Sequence, residues 1–109
     1  MKYMEFSLAE KLAVIRAIEE VIVADGKVDN REIHFMKQLS YFLNFDMTLT
    51  DEARKLSRQE GMLILSGMAR NKKQSLGLIL KEMAGADGRV HDDELAAIYD
   101  IFADAGITI

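Results

Sequence analysis

The sequence predicts an all-α domain of about six helices. Apolar residues recur at spacings of three and four, no segment alternates like a β-strand, and the chain contains no proline. At 109 residues, 50% of them hydrophobic, the chain is long enough to bury a core, and without cysteine it forms no disulfide. We therefore expect residues 1–109 to form a single helical domain.

Two capping boxes delimit the first two helices, Ser7 with Glu10 and Asp29 with Glu32. The first helix is predicted from about Leu8 to Asp25, and the second ends near Leu43. Gly26 suits the left-handed residue after a helix end, and Val28 is placed as the hydrophobic staple of the second box.

The rest of the chain divides into four further helices. Asn44–Thr50 is a connector, and Thr50, Asp51 and Glu52 are predicted to cap a short helix to about Leu56. Ser57 and Glu60 cap a helix that carries Met62 to Ala69. The last two helices are predicted from about Lys72 to Ala86 and from about Asp92 to Ala105, with the chain turning at Gly106.

One motif occurs twice, 62 positions apart, in residues 24–32 and 86–94. Both copies read A-D-G-[KR]-V-x-x-x-E, and matching apolar residues flank them. Before the loops these are Val14, Ile18 and Val21 and their counterparts Leu76, Leu80 and Met83; after the loops they are Ile33, Met36 and Leu39 and their counterparts Leu95, Ile98 and Ile101. Each copy is therefore predicted to form a helix, a loop and a helix, and the two hairpins are expected to be related by a pseudo-two-fold axis.

Each repeat places an aspartate and a glutamate at the ends of core-facing stripes. When the apolar stripes are continued along the helices in steps of three and four residues, the next positions are these carboxylates. A buried carboxylate without a partner is costly or becomes protonated, and an aspartate near a helix C-terminus is also opposed by the helix dipole. We therefore predict that the four side chains converge and hold a divalent cation or a basic group of a protein partner. They are Asp25, Glu32, Asp87 and Glu94.

A structural interpretation of the same loops stays open. Glycine after a helix, valine as a staple and glutamate in a capping box all have local explanations, and both glycines are then expected at positive φ. The loop positions explained in this way are Gly26, Gly88, Val28, Val90 and Asp29. The second copy fits less well, because His91 stands where Asp29 caps the first. An EF-hand is disfavoured, because Val21, Val23, Met83 and Gly85 occupy positions that need oxygen ligands.

The duplicated unit resembles the TerB-like family, which is named for tellurite-resistance operons, over about Leu8 to Ile107. This resemblance implies a small acidic helical domain with one A-D-G loop near each end. It implies that an acidic cluster serves metal or partner binding in a stress-response setting. The residues that carry the resemblance are Asp25, Gly26, Glu32, Asp87, Gly88 and Glu94.

Composition narrows the function classes. A net charge of −4 disfavours nucleic acid as a partner, and no uncharged run is long enough for a membrane span. The first apolar stretch is interrupted by charged residues and is no export signal, so we expect a cytoplasmic protein. No nucleophile–base arrangement is present, so we expect a non-enzymatic binding or sensing module, and its oligomeric state stays open. The alternative is a purely structural protein-interaction domain.

Two smaller expectations concern clusters outside the motif. Arg70, Lys72 and Lys73 are expected to complement the dipole of the helix that ends near Ala69. Three aromatic residues are expected to close the core after the first hairpin, namely Tyr41, Phe42 and Phe45.

Overall fold

The computed structural model describes residues 5–23, 30–87 and 92–107, and their regular structure is entirely helical. The helices in these ranges are α1 (Leu8–Val23), α2 (Asn30–Leu43), α3 (Leu49–Ala53), α4 (Arg58–Ser66), α5 (Arg70–Asp87) and α6 (Asp92–Asp104). The predicted all-α fold with about six helices is confirmed.

Helix α1 is the central element of the described structure. It packs against α3, α4 and α6, while α2 packs against α5. Most members of the predicted apolar stripes face the core where their side chains are described, and each large apolar side chain buried in this way contributes about 1.5–3 kcal/mol. The prediction is wrong for Ile33, which is 41% exposed because it lies one residue off the inward stripe of Met36 and Leu39, and Ile101 is only partly buried. The fully or nearly fully buried members are Val14, Ile18, Met36, Leu39, Leu76, Leu80 and Ile98.

Both capping boxes in the described residues form. The Ser7 N–H donates to Glu10 Oε1 at 2.7 Å, and the Glu10 N–H donates to Ser7 Oγ at 3.2 Å. Ser57 and Glu60 exchange the same two hydrogen bonds at 3.1 and 3.0 Å, so α1 and α4 begin as predicted. The backbone N–H of Ser57 lowers the pKa of Glu60, because it donates to the ionised carboxylate.

The short helix α3 begins and ends earlier than predicted. Thr50 does not cap it, because the Thr50 hydroxyl donates to the Met47 carbonyl oxygen at 2.8 Å. The turn before α3 is instead fixed by Asp46, whose Oδ1 accepts the Thr48 N–H at 2.9 Å. The same contact lowers the pKa of Asp46.

Helix α4 also ends earlier than predicted. It stops at Ser66 rather than near Ala69, because Gly67 forms the C-cap and its N–H donates to Leu63 O. The next helix, α5, therefore begins at Arg70, ahead of the predicted start at Lys72.

The prediction that Tyr41 closes the core is wrong. Tyr41 is 83% exposed, whereas Phe42 and Phe45 are half-buried against the core. The reason is helical register: Leu39 and Leu43 lie on the inward stripe of α2, and Tyr41, two residues from each, points to the opposite side.

Candidate functional site

The four predicted carboxylates fall where two hairpins turn. Glu32 lies in α2, Asp87 is the last residue of α5 and Glu94 lies in α6, but their side chains are outside the described part of the structure. Whether the four carboxylates converge therefore stays a prediction, as do the positive φ values of the two loop glycines. The loop positions outside the described residues are Asp25, Gly26, Val28, Asp29, Gly88, Val90 and His91.

The helices leading to these carboxylates are placed as the repeat predicts. Met36, one turn after Glu32, is 6% exposed, and Ile98, one turn after Glu94, is 1% exposed. Leu80, two turns before Asp87, is also 1% exposed. Each of these three carboxylates thus occupies a register position in line with a buried stripe.

At the other ends of the same helices lies a cluster of polar contacts, which we call the basic pole. It consists of Glu10, Lys11, Asn44, Lys72, Lys73 and Gly106. Lys72 Nζ lies 2.8 Å from Glu10 Oε1, so the starts of α1 and α5 meet. Lys11 Nζ donates to the Asn44 carbonyl oxygen at 2.9 Å, which joins the start of α1 to the end of α2.

The two helices of the second hairpin also meet at the basic pole. Lys73 Nζ lies 3.1 Å from the position that a Cβ atom would take at Gly106, so the start of α5 adjoins the end of α6. Since a helix rises 1.5 Å per residue, α1 and α5 end roughly 20 Å from this pole along their axes.

Glu10 and Lys72 compensate each other's charge at the basic pole. Burial raises the pKa of Glu10, but the Lys72 ammonium and the Ser7 N–H and hydroxyl outweigh it and hold this pKa below its ordinary value. Lys72 therefore forms an ion pair with Glu10, and the ammonium group of Lys73 lies next to the end of α6. The expectation that these lysines complement the C-terminus of α4 is wrong, because both lie in the first turn of α5.

A second network ties α1 to the α3–α4 segment. Arg54 contacts Glu19 through Nε and Nη2 at 3.0 and 3.1 Å, and the contact with Glu19 raises the pKa of Arg54. Glu20 contacts Arg16 at 3.2 Å and Arg58 at 3.5 Å. No sequence pattern predicts this network, because Glu19 and Arg54 are 35 residues apart and belong to no shared motif.

A shallow groove lies beside this network, between α1, α4 and α6. Its cavity volume is only about 10 Å³, and it is lined by Ala13, Arg16, Ala17, Glu20, Arg58, Gly61, Met62 and Ile101. Pockets for drug-sized ligands usually span about 300–1,000 Å³, so this groove is smaller than a typical small-molecule site.

Two further observations on the described residues concern metal binding and the ability to span a membrane. Within them, no group of three or more His, Cys, Asp or Glu side chains is placed to hold a metal ion; the loop carboxylates are not part of that set. No helix in the same ranges has the length and apolar character to cross a bilayer.

Before any relative is considered, the described residues define a class of fold, a compact all-helical domain. No protein-family model and no curated protein matches the chain. The crystal structure of a protein of unknown function from Porphyromonas gingivalis W83 has a similar fold, with a TM-score of 0.76 and 23% sequence identity. The alignment covers 97% of this chain and 89% of that chain, and it establishes the fold alone.

Proposed function

We propose that the chain is a non-enzymatic binding module whose two A-D-G loops together hold a divalent cation or a basic group of a protein partner. The observation that carries the proposal is the alignment of the loop carboxylates with buried stripes on α2, α5 and α6. Carboxylates at such positions need a partner that relieves their repulsion and desolvation, and a hard divalent cation accepts carboxylate oxygens as ligands.

The distribution of charge supports the same proposal. Residues 24–32 and 86–94 together carry seven carboxylates and three basic side chains, which amounts to the whole net charge of −4. The remainder of the chain is therefore neutral overall. A cation is attracted to the segments that concentrate negative charge, so the loops are its favoured place of binding. By resemblance to the TerB-like family, we place this binding in a stress-response setting.

The second candidate function is that of a structural protein-interaction domain whose loops act only as helix caps. A specific observation favours it: the capping boxes of Ser7 and Ser57 form through local hydrogen bonds alone. Glu32 and Glu94 stand at the matching position of their own helices. Capping alone would explain those glutamates and would leave Asp25 and Asp87 unexplained.

Thermal unfolding in the presence of metal ions separates the two functions. We expect calcium, magnesium, manganese or zinc to raise the melting temperature of the wild type saturably, because a ligand that binds only the folded state stabilises it by about 2.7 kcal/mol at 100 times its Kd. The double variant Asp25→Asn and Asp87→Asn should lose this gain.

The matched control replaces Asp100 and Asp104 by asparagine, which makes the same charge change on exposed side chains of α6. This control should keep the metal-induced gain. A wild type that shows no saturable shift with any of the four ions would refute cation binding. A loop variant that is more stable than the wild type at neutral pH and indifferent to metal would show repelling carboxylates without a bound cation.

A further inference from the structure

We infer that the two hairpins are related by a two-fold axis that passes through the Glu10–Lys72 contact, and that a lysine at the basic pole closes each hairpin in the same way. The helix starts carry the first part of the argument. Helix α1 begins at Leu8 and α5 at Arg70, while α2 begins at Asn30 and α6 at Asp92. Both pairs are separated by the 62 positions that separate the sequence motifs.

The ends of α2 and α6 are also equivalent. Asn44 has a φ of 56° and Gly106 a φ of 83°, and they too stand 62 positions apart. In each case the next residue closes the helix end with a hydrogen bond to a carbonyl five residues back: Phe45 N–H to Ser40 O at 3.0 Å and Ile107 N–H to Phe102 O at 2.9 Å. Few residues other than glycine adopt positive φ, so two such ends at equivalent positions indicate a shared geometry.

Equivalent lysines reach these two helix ends. Lys11 donates to the carbonyl oxygen of Asn44, and Lys73, its counterpart, places its ammonium beside Gly106. A cation at a helix C-terminus is favoured by the helix dipole, so both lysines stabilise the end of the second helix of their own hairpin.

The Glu10–Lys72 ion pair locates the axis. These residues are equivalent in the repeat, and their side chains contact each other at 2.8 Å. Residues that are equivalent under a two-fold rotation meet at its axis, as they do in an isologous dimer. The packing agrees, because a two-fold exchange turns the contact of α1 with α6 into the contact of α5 with α2, and both occur.

Distance measurements between spin labels test the axis directly. A two-fold rotation exchanges each residue of one repeat with its counterpart in the other repeat. A distance between two residues is therefore equal to the distance between their two counterparts. The chain has no cysteine among its 109 residues, so cysteines introduced in pairs carry the only labels. Exposed positions in both repeats are Ala9 with its counterpart Asn71, and Tyr41 with its counterpart Ala103.

We expect the Ala9–Ala103 and Asn71–Tyr41 distance distributions to coincide. Leu63 lies in α4, outside the repeat, so distances from Ala9 and from Asn71 to Leu63 have no reason to agree and serve as the control. The circular dichroism and melting temperature of each labelled variant establish that it is folded. Clearly different Ala9–Ala103 and Asn71–Tyr41 distances in folded variants would overturn the two-fold relation, whatever the loops bind.

Discussion

Replacing Lys72 by methionine tests whether the ion pair at the basic pole holds the two repeats together. Methionine keeps most of the apolar stem and removes the charge. The side chain of Glu10 is 13% exposed and that of Lys72 is 27% exposed, so the remaining carboxylate loses its cation in a largely desolvated place. A hydrogen bond to a charged group contributes about 1.5–3 kcal/mol, and we expect Lys72→Met to cost about 1–2 kcal/mol of unfolding free energy.

Glu10→Gln separates the ion pair from the capping box. Glutamine accepts the Ser7 N–H at this position and so retains the cap, but it removes the charge. We expect a double-mutant cycle of the two substitutions, measured by urea unfolding at pH 7, to give a coupling of about 1 kcal/mol. In thermal unfolding each kcal/mol corresponds to roughly 4–8 °C for a domain of this size.

The matched control is the Lys55–Glu52 pair, at 3.3 Å, with side chains 72% and 57% exposed. An exposed helix pair of this kind couples by about 0.3–0.5 kcal/mol. A Glu10–Lys72 coupling no larger than that of the control would refute the claim that burial strengthens the pair.

The contribution of Glu10 also depends on pH. Its folded-state pKa lies below the ordinary value of 4.5, so the folded state favours the ionised form. The stabilisation is therefore fully present above the unfolded-state pKa and is lost as the pH falls through the folded-state pKa. We expect the difference in stability between wild type and Glu10→Gln to be constant near neutral pH and to shrink in acid below about pH 4.5.

Three further substitutions have expected outcomes of different sign. Gly106→Ala should destabilise by about 1 kcal/mol or more in urea unfolding, because φ is 83° and the new Cβ would lie 3.1 Å from Lys73 Nζ. Gly61→Ala should instead stabilise by about 0.5–1 kcal/mol, since Gly61 is in a helix and its Cβ would meet only an ordinary contact at 3.6 Å; a loss of stability would contradict this. Arg54→Met should cost about 0.5–1 kcal/mol after solvent screening and speed hydrogen exchange in α3, because it leaves Glu19 without its bidentate partner; unchanged exchange would contradict that role.

Local signals in the sequence were sufficient to predict most of the fold. Capping boxes and apolar periodicity act within a few residues, so the starts of α1, α4 and α6 and the buried stripes follow from short segments. The errors lie where two local signals compete. Thr50 resembles a cap, but its hydroxyl bonds to Met47, and Asp46 fixes the turn in its place.

Contacts between distant helices could not be predicted in the same way. Glu19 and Arg54 are joined only because α3 packs on α1, and no spacing in the sequence encodes that packing. The Glu10–Lys72 contact was not predicted either, although its members occupy equivalent positions of the repeat. Equivalent residues that contact each other across a two-fold axis lie near that axis, so the repeat was an unused signal for this contact.

The same contacts sharpen the argument for the loops. Glu10, Glu19 and Glu20 each contact a basic side chain, so these carboxylates are compensated inside the described structure. The charge that remains uncompensated overall belongs to residues 24–32 and 86–94. The charge pair at the basic pole stabilises the helices, whereas we propose that a bound cation or a basic partner compensates the negative charge of the two loop segments. In the proposed function, the residues that stabilise the fold at the basic pole therefore differ from the residues that would bind a ligand at the loops.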